Sequence, residues 1–248
     1  MQNTKQTFNL AANKLATKYV SSSQEILVSE EVSKLAALTH YPSPISSAKC
    51  KMSKEEKIAF IADKFRDIMI ALDLDLNDHS LARTPERVAK MYVEEVFSGL
   101  DASQFPRVSF IEDHYQHENK ANIVLVKVKF HSFCEHHFVP MFGTAHVAYI
   151  PNGKLIGLSK IPRIVRFFAR RPQVQERLTA QIADSLCTLL DTPDVAVSIS
   201  AQHFCVIARG IEDENSHTIT NVLRGGFDTN EVLTREFFEG VNRKYVHV

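Results

Sequence analysis

At about residue 120 the spacing of apolar residues changes from helical to alternating. That switch limits what the chain can fold into more than any other feature. Before it, "SKEEKIAFIADKFRDIMIALDL" opens with Ser53 and Glu56 at capping-box spacing, and Ile58, Ile61, Phe65, Ile68 and Leu72 fall on one helical face. "TPERVAKMYVEEVFSGL" predicts a second helix, with Thr84 as N-cap, Pro85 at the first helical position and Gly99 as stop. After the switch, Val124, Val126, Val128 and Phe130 alternate with Leu125, Lys127 and Lys129, the mark of a half-buried strand. "GTAHVAYIP" predicts another strand. Helices over about 159–170 and 172–190 follow, the second with Leu178, Ile182 and Leu186 on one face. "DVAVSISAQHFCVIAR" returns to alternation over 195–207, "HTITNVLRGGF" is its hairpin partner, and a last helix spans about 230–240. Helix pair, strand pair, helix pair, strand pair predicts an α+β domain with an antiparallel sheet.

Three regions are expected. Residues 1–50 form an extension rich in Ser, Thr, Asn and Lys, with short helices over 8–20 and 29–38 and a breaker, "HYPSPISSAK", at its end. Residues 51–120 form a helical region, and 121–248 the main domain. The 29 basic residues balance 29 acidic ones, so no bulk attraction to nucleic acid or to an anionic membrane is expected. No apolar run approaches the ~18 residues of a membrane span. The N-terminus lacks both an apolar signal core and the arginines of a transit peptide. Four scattered cysteines, Cys50, Cys134, Cys187 and Cys205, do not make a disulfide scaffold and suit a reducing, cytoplasmic setting.

The chemistry concentrates in "SFCEHHFVP". Cys134 and His137 form a C-x-x-H pair, too few ligands for a structural zinc site with no second pair nearby. A catalytic site needs only three protein ligands, leaving one position for water. Alternation over 195–207 places His203 and Cys205 side by side on one strand face, so Cys205 can be the third ligand. It can equally be core, and periodicity leaves both open. His136 and His203 would then stand near the open position as proton carriers. Glu135 has no role in this reading. Cys187 reads as core and Cys50 as incidental; His131 and His146 can be ordinary hydrogen-bonding strand residues.

Seven Lys or Arg residues lie between Lys154 and Arg177, with Glu176 the one acid among them. Gly157 and Ser159 mark a helix start, where free N–H groups attract anions, with Lys160 and Arg163 one turn apart. Arg209 can join them, suggesting a phosphate-rich small ligand. Arg166, Arg170 and Arg171 read as a solvated basic face. No Gly-rich phosphate loop is present. Glu176 is either an intrahelical ion-pair partner or an acceptor for two N–H groups of a base such as guanine.

These segments resemble the GTP cyclohydrolase I family: "TPERVAKMY", "FCEHHFVP", "HVAYIP", "IGLSKIPRIVRFFARRPQVQERLTAQIADSL" and "VAVSISAQHFCVIARGI", in that order, over about residues 53–240. The resemblance implies the tunnelling fold for 121–248, an antiparallel sheet with a helix pair on one face, preceded by N-terminal helices. It also implies a ring-stacked homodecamer with active sites between subunits. The implied reaction converts GTP and water to 7,8-dihydroneopterin triphosphate and formate, at the entry to folate or tetrahydrobiopterin synthesis. By motif, Cys134, His137 and Cys205 would hold Zn2+, and His136, His203 and Ser159 would handle protons, His203 protonating the imidazole-ring nitrogen. Glu176 and Gln175 would anchor guanine; Lys160, Arg163, Arg209 and Arg87 would face the triphosphate, Arg87 that of a neighbouring subunit. Residues 1–50 match nothing in the family's pattern, and Arg224 stands where members differ. The competing expectation is a relative on the same fold that binds a purine or pterin without hydrolysing it.

Overall fold

The computed structural model describes residues 20–22, 25–40, 42–46, 52–113 and 122–243. The helix expected over 8–20 lies, but for its last residue, outside them, as does Cys50. A short hairpin, β1 (Val20–Ser22) and β2 (Glu25–Leu27), leads into α1 (Glu30–Leu38), capped by the Ser29 hydroxyl. α2 (Lys54–Ala71) begins with both halves of its capping box: Glu56 N–H donates to Ser53 Oγ (3.1 Å) and Ser53 N–H to Glu56 Oε2 (2.6 Å). α3 (Thr84–Lys90) starts one residue earlier than expected. Arg83 is its cap, because Thr84 N–H already bonds back to Leu81 O, and the helix runs on as a π-helical turn, Met91–Val96.

The alternating segments form one five-stranded sheet. β3 (Ser109–Glu112) precedes it; β4 (Val124–Cys134), β5 (Pro140–Tyr149) and β6 (Lys154–Ile156) follow, then α4 (Lys160–Ala169), β7 (Pro172–Gln173) and α5 (Gln175–Leu190). The chain ends with β8 (Val195–His203), the helical turn α6 (Phe204–Ile207), β9 (Thr218–Leu223), α7 (Gly226–Thr229) and α8 (Glu231–Asn242). The order is β7-β4-β5-β8-β9, with Val128 opposite Ala145, Ala145 opposite Ile199 and Ile199 opposite Thr220. The sheet is mixed rather than antiparallel, since β7 joins β4 in parallel, Phe133 beside Pro172 and Cys134 beside Gln173. β1, β2, β3 and β6 form a second, antiparallel sheet that the sequence pattern did not announce.

Period-two alternation sets the two faces of the main sheet. Val128, Phe130, Met141, Val147, Val197 and Ile199 point into one core with Ile164, Phe168, Leu178, Ile182 and Leu186 of α4 and α5. Ala148 and Ala196 point the other way, against Phe227 and Phe237 of the C-terminal helices. Val32, Ala36 and Ala37 of α1, within the expected extension, also enter the main core. Gly143 is dictated by this packing, because a Cβ there would meet the Ala201 Cβ at 2.7 Å and the Phe130 ring at 2.9 Å. Among the described residues no helix is long and apolar enough to cross a membrane.

Candidate active site

Three elements meet at one corner of the sheet. β4 ends on Cys134, 5% exposed on the helix-facing side, and the chain turns back through residues 135–139 into β5. The turn is closed by Cys134 N–H to Val139 O and Phe138 N–H to Cys134 O, both 2.9 Å, with Phe138 left-handed at φ 52°. An aromatic cluster braces it: Phe138 packs on Phe97 (5.2 Å) and Tyr92 (6.1 Å), and Phe97 on Phe133 (5.7 Å).

The third element differs from the strand expected over 195–207. β8 stops at His203, and Cys205 lies in α6, so His203 and Cys205 do not share a strand face. The helical turn carries Cys205 back across the end of β5 instead. The Cys134, His137 and Cys205 ligand atoms all lie within 4.8 Å of one another. Donors around a tetrahedral zinc stand ~3.3–3.8 Å apart, so small side-chain movements would close the set. The electrostatics fit the same occupant. Burial raises the Cys205 thiol, and so does Cys134 beside it, first by hydrogen bonding and then by charge repulsion, which a cation between the two sulfurs would relieve.

The two histidines expected to carry protons differ in setting. His136 is exposed, with Nε2 4.0 Å from Glu135 Oε1. His203 is half-buried, its Nε2 2.8 Å from Gln175 Oε1; burial pushes this imidazole down, with Glu176 acting in the opposite sense. Glu176 itself is exposed in the first turn of α5, where its charge favours the helix dipole. Gln175 is 1% exposed and its amide is spent inside the chain, with Nε2 donating to Ile199 O, Thr218 O and Thr220 Oγ1. Arg209 donates to His137 Nε2 at 2.9 Å.

The other basic residues lie elsewhere in the chain. Ser159 caps α4 without using its hydroxyl, and Lys160 and Arg163 occupy the first turn. That end of α4 is the one away from the metal corner, since β7, beside Cys134, follows the helix's last turn. Ten residues at 1.5 Å each separate the two ends by ~15 Å. Arg87 is exposed on α3 and bonds to none of these groups. Arg166 and Arg170 are exposed, but Arg171 is not part of a solvated face. It is 5% exposed, stacked on Phe167 and Phe168, and donates through Nε to Gly99 O at 2.7 Å.

Glu135, which has no role in the sequence pattern, gains one in the structure. Its carboxylate pairs with Arg177, and its N–H donates to Gln173 O at 3.0 Å. Arg177 Nε also donates to Gln173 Oε1, and Gln173 Nε2 to Phe168 O and Gln181 Oε1. The network straps the 135–139 turn to the start of α5. The one signal in the sequence was Arg177 itself, a cation at the head of an apolar helical stripe.

Comparison with known proteins agrees with the geometry. The family model for GTP cyclohydrolase I matches residues 61–242. The chain is 54% identical over 199 residues to the GTP cyclohydrolase 1 of Aeromonas hydrophila, covering 80% of this chain and 89% of that protein. It is 53% identical over 191 residues to the GTP cyclohydrolase 1 of Vibrio parahaemolyticus, covering 77% and 87%.

Proposed function

The chain belongs to the GTP cyclohydrolase I family and acts as a GTP cyclohydrolase, and we propose that it does so with a zinc ion held by Cys134, His137 and Cys205. The observation that carries the zinc reading is the convergence of two thiols and an imidazole from β4, its hairpin turn and α6. Bound there, zinc supplies Lewis acidity and brings the pKa of a water at its fourth position toward ~7.

The chain's own residues do the rest. Glu176, exposed beside His203, accepts two N–H groups of guanine and sets the purine over the metal corner. His203 holds the proton delivered to the imidazole-ring nitrogen, and ring opening followed by a second hydrolysis releases formate. His136 and Ser159 handle protons as the ribose opens and the pterin ring closes, giving 7,8-dihydroneopterin triphosphate for folate or tetrahydrobiopterin synthesis. Lys160, Arg163, Arg209 and Arg87 neutralise the triphosphate.

The α+β domain is read as the tunnelling fold, and the working unit as a homo-oligomer, a decamer in the family's pattern, in the cytoplasm. α4 places Lys160 a helix length of ~15 Å from its other end, the end next to β7 and Cys134, and this supports that reading. A second copy can bring its Ser159, Lys160 and Arg163 to the corner.

Metal analysis with GTP turnover tests the assignment. Wild-type protein should retain one zinc per chain and release formate from GTP. Cys205→Ser should lose both. Retention of one zinc per chain by Cys205→Ser would remove Cys205 from the ligand set.

A further inference from the structure

The Gln175 amide sits between the sheet and His203 in only one workable orientation. Its nitrogen end faces Ile199 O (3.1 Å), Thr218 O (2.9 Å) and Thr220 Oγ1 (3.1 Å). The first two are backbone carbonyls, which accept and never donate. Turned over, the amide would press its oxygen against both of them. The hydroxyls nearby agree: Thr179 Oγ1 donates to Gln175 O (2.7 Å), so the Thr179–Thr220 contact (2.6 Å) takes its hydrogen from Thr220, whose oxygen then accepts from Gln175. Oε1 is therefore the end that faces His203 Nε2 at 2.8 Å. An amide oxygen only accepts, so the hydrogen in that contact belongs to His203.

We propose that Gln175 is a positioning residue that fixes neutral His203 as its Nε2–H tautomer, so that Nδ1 is the nitrogen that takes up and delivers the catalytic proton. The step balances simply. Nδ1 of the neutral ring takes up a proton from the medium, passes it to the purine nitrogen as the ring bond opens, and returns to the Nε2–H form. Gln175 neither gains nor loses a proton. Nδ1 has no hydrogen-bond partner among the described residues, whereas Nε2 is engaged. The geometry gives Gln175, 1% exposed, an action through His203 where motif matching pointed to the substrate. A bond to the second ring nitrogen sets which tautomer a histidine presents, as at metal-bound histidines.

This inference rests on His203 being the proton carrier of the proposed reaction, and its test separates the two. Nitrogen NMR of histidine-labelled, zinc-replete protein at about pH 8, where ordinary histidines are neutral, reads the tautomer directly. The His203 resonances, assigned by their loss in His203→Asn, should show hydrogen on Nε2 and an unprotonated Nδ1. Gln175→Met removes both ends of the amide at similar volume. Its kcat for GTP should fall ~10–100-fold, the usual cost of losing an orienting partner, with KM within ~3-fold. An Nδ1–H tautomer in the wild-type protein overturns the proposal, even if Gln175→Met fails to fold. A raised KM with unchanged kcat also overturns it, because Gln175 would then be a substrate contact. Hydrogen on Nε2 in a protein that does not turn over GTP would sink the functional reading and leave the tautomer assignment standing.

Discussion

Removing Arg177 should loosen the metal loop from the helix that follows it, by an amount the structure sets. Arg177 makes two charge-assisted contacts, to the Glu135 carboxylate and to Gln173 Oε1, and the two charged side chains are 17% and 23% exposed. Contacts of this kind contribute ~1.5–3 kcal/mol each when dry, and residual solvent places this pair toward the lower end. Arg177→Met should therefore cost ~2–3 kcal/mol, and Glu135→Gln ~1–2 kcal/mol. The double variant should cost less than the sum, with a coupling of ~1–2 kcal/mol, because each single change strands the other partner. For a chain of this length ~1 kcal/mol moves the melting midpoint by ~2–4 °C, so Arg177→Met should melt ~4–12 °C below wild type. The strap also orients the loop bearing two proposed ligands, so zinc affinity should drop ~10-fold in Arg177→Met. Thermal melts of the four proteins, with zinc titrations of each, supply every number. A coupling within ~0.5 kcal/mol of zero would refute the idea that the pair is an energetic strap.

Three further outcomes follow from single sites. A Cβ at Gly99 would fall on the Phe167 carbonyl and stand 2.8 Å from Arg170 O, so Gly99→Ala should cost ~3 kcal/mol or more, read as a lowered denaturation midpoint. Burial, with Asp184 adding to it, pushes the Cys187 thiol up to about 12, so at about pH 8 alkylation monitored by mass should label it ~10³-fold more slowly than an ordinary exposed cysteine. Burial and the nearby Lys127 hold His146 below its ordinary value. Its share of stability is complete above ~6.5 and is lost as pH falls through the depressed native value, because the unfolded chain binds that proton more readily. His146→Asn should flatten that part of the stability-against-pH curve measured by denaturation; an unchanged slope would show that other groups cause it.

What could be read in advance was local. The capping box at Ser53 and Glu56 needs four residues, and the structure forms both of its bonds. The alternation of β4 and β8 needs one buried face, which the core provides. What could not be read depends on residues far apart. Arg171 looks solvated in an Arg-Arg run, yet its guanidinium is buried by two rings of α4 and a carbonyl 72 residues away. β7 is two residues long, too short to show any period, so the parallel edge was hidden. Strand alternation places Cys205 beside Cys134 and His137, and the structure brings it there through a helical turn instead. An amphipathic strand end and a one-turn helix offer the same apolar residues, so the pattern "HFCVI" could not tell them apart. Gln175 beside Glu176 reads as a pair of substrate contacts, because the three acceptors that claim its amide lie 24, 43 and 45 residues away.

We propose that this chain hydrolyses GTP at a zinc corner made by Cys134, His137 and Cys205. Formate released per GTP consumed by zinc-replete protein tests it most directly. One formate per GTP is expected, with a product that becomes a fluorescent pterin on oxidation and still carries all three phosphates. GTP consumed without formate, or no consumption with zinc bound at one per chain, would contradict it.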